Sequence, residues 1–129
     1  IVTGVIFPPP IQDSASKYIK LGRNKVGDLA IIGVTVMGYA DETCPSGFCF
    51  RIALASVAPI PLIASGAEQI LADNEINEET IRNASLNAME ACDPIDDVRA
   101  GKKYRKLMVR NMTERAIAHV WAKLKDSLD

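Results

Sequence analysis

The stretch Phe50-Arg-Ile-Ala-Leu-Ala-Ser-Val-Ala-Pro-Ile-Pro-Leu-Ile-Ala-Ser-Gly-Ala-Glu-Gln-Ile-Leu71 constrains the fold more than any other. Phe50, Ile52, Leu54 and Ser56 alternate with Arg51, Ala53, Ala55 and Val57, which is the period of a β-strand. Pro59 and Pro61 donate no backbone hydrogen bond and disfavour helix for the residue before them, so the strand is expected to end near Ala58. Ser65 and Glu68 have the spacing of a capping box, with Ala67, Ile70 and Leu71 as the apolar stripe of a short helix. The stretch is thus a joint between a sheet and a helical layer, with no catalytic residue of its own.

The remaining segments are read around this joint. Ile1 to Phe7 is apolar and β-branched, and Pro8-Pro9-Pro10 follows, giving an expected edge strand that ends in polyproline II. Asp13 is placed to cap a short helix through Leu21, with Ala15, Tyr18 and Ile19 inward and Gly22 as its stop. Leu29 to Tyr39 is nearly all apolar and suits a central strand covered by helices on one face and further protein on the other. Turn residues from Asp41 to Phe48 return the chain into the strand at Phe50 as a hairpin.

Two helices follow the joint. Asn77 is an expected N-cap, Ile76 and Ile81 have staple spacing, and Ile81, Ala84, Ala88, Ala91 and Cys92 form the stripe up to Asp93-Pro94. The last helix is expected from Lys102 to Leu128, with Leu107, Met108, Met112, Ala116, Ile117, Val120, Trp121, Leu124 and Leu128 inward. Strands followed by helices argue for an α+β fold: a small antiparallel sheet of three to four strands with a three-helix layer on one face. The 129 residues suit one domain, 1–129. Ile1 in place of methionine points to a processed chain or a piece of a longer one.

A net charge of −1 gives no global field for nucleic acid or anionic membrane. No apolar run is long enough to span a bilayer, so the expected location is the cytoplasm. Cys44, Cys49 and Cys92 contain no Cys-x-x-Cys pair. Cys44 and Cys49 could bridge across the hairpin loop, a question the sequence leaves open, whereas Cys92 reads as core. His119 is the only histidine, and neither a dinucleotide-binding glycine motif nor a Walker A sequence is present.

Two charged features remain. Arg99, Lys102, Lys103, Arg105, Lys106, Arg110 and Arg115 form a basic run, read as a solvated helix face because no aromatic residues interleave it to stack bases. Lys20, Arg23 and Lys25 lie in or beside a loop bracketed by Gly22 and Gly27, where the backbone can approach an anionic or electron-rich ligand. A plain solvated loop and a binding loop both remain open on these residues alone.

Tyr18-Ile-Lys-Leu-Gly-Arg23, Asp28-Leu-Ala30, Arg51-Ile-Ala-Leu-Ala-Ser-Val-Ala-Pro-Ile-Pro61, Ala67-Glu68 and the segment from Asp93 to Arg105 together resemble the C-terminal domain of the carbon monoxide dehydrogenase flavoprotein family. Its members are FAD-binding medium subunits of molybdenum hydroxylases, xanthine dehydrogenases included. The resemblance implies a domain that completes a flavin site held mainly by N-terminal FAD-binding domains. It implies partners too: a small subunit with 2Fe–2S clusters and a molybdopterin large subunit, with no catalytic residue in this domain. It places Lys20 near the flavin ring and the loop Leu21 to Asp28 beside it, so Lys20, Gly22 and Arg23 are the expected cofactor contacts. Ile63 stands where relatives carry arginine, and Gly101 where a serine often caps the last helix. Asp97, Arg99, Tyr104 and Arg105 read as structural. The alternative function is a stand-alone protein- or nucleic-acid-binding module built on the basic helix.

Overall fold

The computed structural model describes residues 1–24 and 27–127. Four strands, β1 (Ala15–Leu21), β2 (Ile32–Ala40), β3 (Phe48–Ala55) and β4 (Leu62–Ile63), precede three helices, α1 (Ser65–Asp73), α2 (Glu78–Glu90) and α3 (Lys102–Asp126). The strands form one antiparallel sheet in sequence order, with Tyr18 opposite Thr35, Val36 opposite Ile52 and Ala53 opposite Ile63. Helices α1 and α3 pack on the sheet, and α2 packs against both. The expected α+β architecture is what the chain adopts.

The core lies between the sheet and these helices. Ile32, Val34 and Val36 of β2 and Phe50, Ile52 and Leu54 of β3 meet Ala67 and Leu71 of α1 and Met112, Ala116, Ile117 and Val120 of α3. Helix α3 passes so close to β2 that a Cβ on Gly38 would sit 2.9 Å from Val120 Cγ1 and 3.0 Å from Leu124 Cδ1. Only glycine lets the helix approach that far. Asn77 caps α2 by accepting from the Thr80 amide at 3.0 Å, and Ile76 and Ile81 are both buried, as their spacing foretold.

Several expectations fail for physical reasons. Ala15–Leu21 is a strand, not a helix: Asp13 has φ of 52°, unsuited to an N-cap, and the segment pairs along its length with β2. Ala15, Ile19 and Leu21 then edge the core while Ser16, Tyr18 and Lys20 face away. The residues Ile1 to Phe7 form no strand and their large side chains are exposed, because β propensity needs a partner edge and none meets them here. Ladder pairing of β3 stops at Ala55, earlier than Ala58, because Ser56 takes a left-handed φ of 64°. Ala91 and Leu107 are exposed, while Val109, absent from the expected stripe, is fully buried. Leu128 lies outside the described residues.

The capping box is also absent. Ala64 occupies the N-cap of α1 and no side chain caps the helix. Glu68, buried to 8% exposure, instead accepts from the Ile52 amide at 2.7 Å and pairs with Arg51 at 3.3 Å. Strand β4 is two residues long, and the Ala64 amide reaches the Ile52 carbonyl at 2.9 Å. The Glu68 carboxylate therefore supplies the acceptor that a longer β4 would have offered to β3. Gly101 likewise heads α3 without a capping side chain, and the Asp96 carboxylate takes the Lys102 amide.

Arg105, 3% exposed, ties the loops at one end together. Its guanidinium donates to the Ile31 carbonyl at 2.8 Å, the Ser56 carbonyl at 3.0 Å and the Asp97 carboxylate at 2.7 Å. Removing it leaves the Ile31 and Ser56 carbonyls without their side-chain donor, while Asp97 keeps the Arg99 and Ala100 amides, so Arg105→Ala is expected to cost about 2–4 kcal/mol. Asp97→Asn should cost less, since Asp97 is partly solvated. Urea unfolding of both variants, compared with the parent at equal slope, checks the order.

Candidate functional site

The glycine-bracketed loop closes on Asp28. As β1 ends, the Leu21 carbonyl accepts from the Ile31 amide at 2.8 Å, pinching the base of the loop. Inside it the Asp28 carboxylate accepts from the Arg23 amide at 2.5 Å and the Asn24 amide at 3.3 Å, with the Arg23 guanidinium 3.8 Å away. Two successive amides turned toward one carboxylate fold the backbone into a tight hook. A Cβ on Gly22 would lie 3.3 Å from the Asn24 carbonyl and 3.4 Å from Asp28 Oδ2, so the hook leaves little room for a side chain there.

The hook anchors one of the two expected cationic side chains and leaves the other projecting. Lys20 leaves the outer face of β1, and its ammonium donates to the Asp28 carbonyl at 2.5 Å. The Arg23 side chain is 61% exposed, and Lys20, Leu21, Gly22, Arg23 and Asn24 line an open depression. Lys20, Gly22 and Arg23 are thus brought together, while Lys25 lies outside the described residues. The arrangement presents positive charge and bare backbone on one rim, suited to holding an electron-rich ring or an anion. Asp28 is the residue that sequence reasoning missed. In the sequence it stands only within the Asp28-Leu-Ala30 motif and as the end of the loop, although an aspartate closing a glycine-rich loop is itself a turn-forming signal.

The Asp28 carboxyl is held below the usual carboxylate range, mainly by the Arg23 amide, with burial opposing and the Asn24 amide and Arg23 charge assisting. A group whose folded value is lowered stabilises the fold above its unfolded value and loses that contribution as pH falls through the folded one.

The other charged residues gather no comparable site. Arg105 is buried, Lys102 pairs with Asp93 at 2.6 Å, and Arg110 bonds to the neutral Asn111. His119 is exposed on the same helix. No described helix is long and apolar enough to cross a membrane. Cys44 and Cys49 are joined across the β2–β3 turn, deciding the question the sequence left open, and Cys92 is buried.

Residues 17–120 match the sequence model described as CO dehydrogenase flavoprotein C-terminal domain. The chain is 30% identical over 123 residues to the carbon monoxide dehydrogenase medium chain of Hydrogenophaga pseudoflava, covering 95% of this chain and 42% of that one. It is 26% identical over 123 residues to the xanthine dehydrogenase FAD-binding subunit of Escherichia coli O157:H7, covering 95% and 41%. The solved carbon monoxide dehydrogenase of Hydrogenophaga pseudoflava that lacks the Mo-pyranopterin moiety superposes with a TM-score of 0.80 at 32% identity, over 90% of this chain and 39% of that one. The chain therefore spans about two-fifths of the length of these relatives.

Protection of the Arg23 and Asn24 amides against hydrogen exchange should persist through mildly acidic pH and fail only below the ordinary carboxylate range. In Asp28→Ala it should be lost at every pH. Equal protection in the variant would show that the carboxylate does not organise the hook.

Proposed function

The chain belongs to the CO dehydrogenase flavoprotein C-terminal domain family, and on that basis we propose that it is one domain of the FAD-binding subunit of a molybdenum-dependent hydroxylase or dehydrogenase. In this reading the N-terminal FAD-binding domains of the same subunit hold most of the cofactor. A small subunit with 2Fe–2S clusters and a molybdopterin large subunit are the partners. When bound, FAD takes electrons from the clusters and hands them to an acceptor.

One observation carries the assignment of the site: the Asp28 hook holds Lys20, Gly22 and Arg23 on one rim, with little room at Gly22 for a Cβ. These residues fit a flavin. Lys20 offers a fixed positive charge at the end of a rigid strand, Gly22 offers unobstructed backbone, and Arg23 offers an exposed planar cation. A cation beside an isoalloxazine ring stabilises negative charge on it and so raises the potential at which the ring accepts electrons. The anchor of Lys20 on the Asp28 carbonyl limits how far that charge wanders. No residue of the rim forms or breaks a covalent bond.

The reading as a nucleic-acid-binding module is the weaker one, because Arg105 is buried and Lys102 is paired with Asp93. At physiological salt a gel-shift assay should find no specific complex.

The 129-residue chain alone should retain no flavin on desalting. In a complete flavin-loaded subunit carrying this domain, Lys20→Ala should lower the flavin midpoint potential by roughly 20 mV, for about 1 kcal/mol of lost charge stabilisation in a two-electron couple. Lys20→Arg should restore it. A complete subunit whose Lys20→Ala form keeps both FAD affinity and flavin potential would overturn the role of Lys20.

A further inference from the structure

The turn between β2 and β3 gathers a set of side chains far from the Lys20 rim. Asp41, Cys44 and Cys49 bring a carboxylate oxygen and two sulfurs within 4.8 Å of one another. We propose that, when its disulfide is reduced, this turn is a binding site for a thiophilic divalent cation of the zinc type, with Asp41, Cys44 and Cys49 as ligands.

Backbone hydrogen bonds as well as the disulfide place the ligands. The Asp41 amide donates to the Gly47 carbonyl at 2.9 Å, the Cys44 amide to Asp41 at 3.1 Å, and the Gly47 amide to Cys44 at 2.8 Å. Gly47 supplies the positive φ of 80° that this turn needs. The Ser46 amide reaches the Ala72 carbonyl at 2.8 Å, fastening the turn to α1, and Cys49 is held in the ladder opposite Tyr39. With both cysteine Cα atoms fixed 6.2 Å apart, reduction leaves the sulfurs close together.

The chemistry of the set selects the ion. Two thiolates and one carboxylate suit zinc or cadmium, which bind sulfur at about 2.3 Å and oxygen at about 2.0–2.2 Å, and do not suit magnesium or calcium. The Asp41 carboxylate is oriented by the Thr43 amide at 2.9 Å and the Thr43 hydroxyl at 2.6 Å on its Oδ1. The fourth position opens onto a depression lined by Thr43, Pro45, Arg51 and Gln69, where water can complete the tetrahedron.

Redox state gates the site. A thiol reductant transfers two electrons and two protons to the disulfide and leaves as its own disulfide; the arriving cation then displaces the two thiol protons. The oxidised turn offers no thiolate and binds no cation.

Cadmium titration of the 129-residue chain, reduced with a phosphine under anaerobic conditions, tests this through the thiolate-to-metal charge-transfer absorption. The expected result is one cadmium per reduced chain and none per oxidised chain. Cys49→Ser should abolish the band, and Asp41→Asn should keep it while weakening affinity at least about tenfold. The absence of a stoichiometric band in the reduced chain overturns the site. So does undiminished affinity in Asp41→Asn, or a band that survives Cys49→Ser and so belongs to Cys92 as adventitious binding only. Should Asp41→Asn fail to fold by circular dichroism, Cys44→Ser beside Cys49→Ser decides the matter.

Discussion

A single buried guanidinium sets the geometry on which the rest depends. Arg105 enters from the first turns of α3 and bonds to carbonyls of Ile31 and Ser56 and to the carboxylate of Asp97. These belong to the loop before β2, the residue after β3 and the connection from α2 to α3. Three connections that share no sequence neighbourhood are thus held by one rigid fork, which a lysine could not satisfy at once. The left-handed backbone of Ser56 is part of the same arrangement, since it turns a carbonyl toward the guanidinium where the ladder ends.

That clamp reaches the candidate site through the backbone. The Ile31 carbonyl accepts from Arg105 while the Ile31 amide donates to Leu21, so the base of the hook is pinned from both sides of one residue. Asp28 then shapes the hook itself and Lys20 is anchored within it. The base of the positive rim is thereby tied to a buried charge network.

Local signals were legible wherever a few neighbouring residues decide the outcome. Asn77 and the Ile76–Ile81 staple predicted the start of α2, and Pro45-Ser46-Gly47 predicted the hairpin. Lys20, Gly22 and Arg23 were legible as a group because glycines bracket them. Ala15 to Leu21 was not, since over seven residues Ala15, Tyr18 and Ile19 fit a helical face while Ala15, Ile19 and Leu21 fit a strand. Pairing with β2 decided between them. Glu68 was misread for a similar reason: its spacing from Ser65 suggested a cap, but the vacant edge of β3 beside the short β4 claimed its carboxylate. Asp28 escaped notice because its role lies in amides that turn toward it only once the loop is closed.

By itself the sequence determined the α+β class, the hairpin, the three helices and the family, all of which follow from periodicity, turn chemistry and short motifs that need no distant partner. Only the tertiary structure decided that β1 is a strand, that Ile1 to Phe7 forms none, that Glu68 completes a sheet edge and that Arg105 clamps three loops. It also decided that the sulfurs of Cys44 and Cys49 meet beside Asp41. Each of these rests on a hydrogen-bond or packing partner remote in sequence or brought near only by a folded turn, and no residue's own preference specifies that partner.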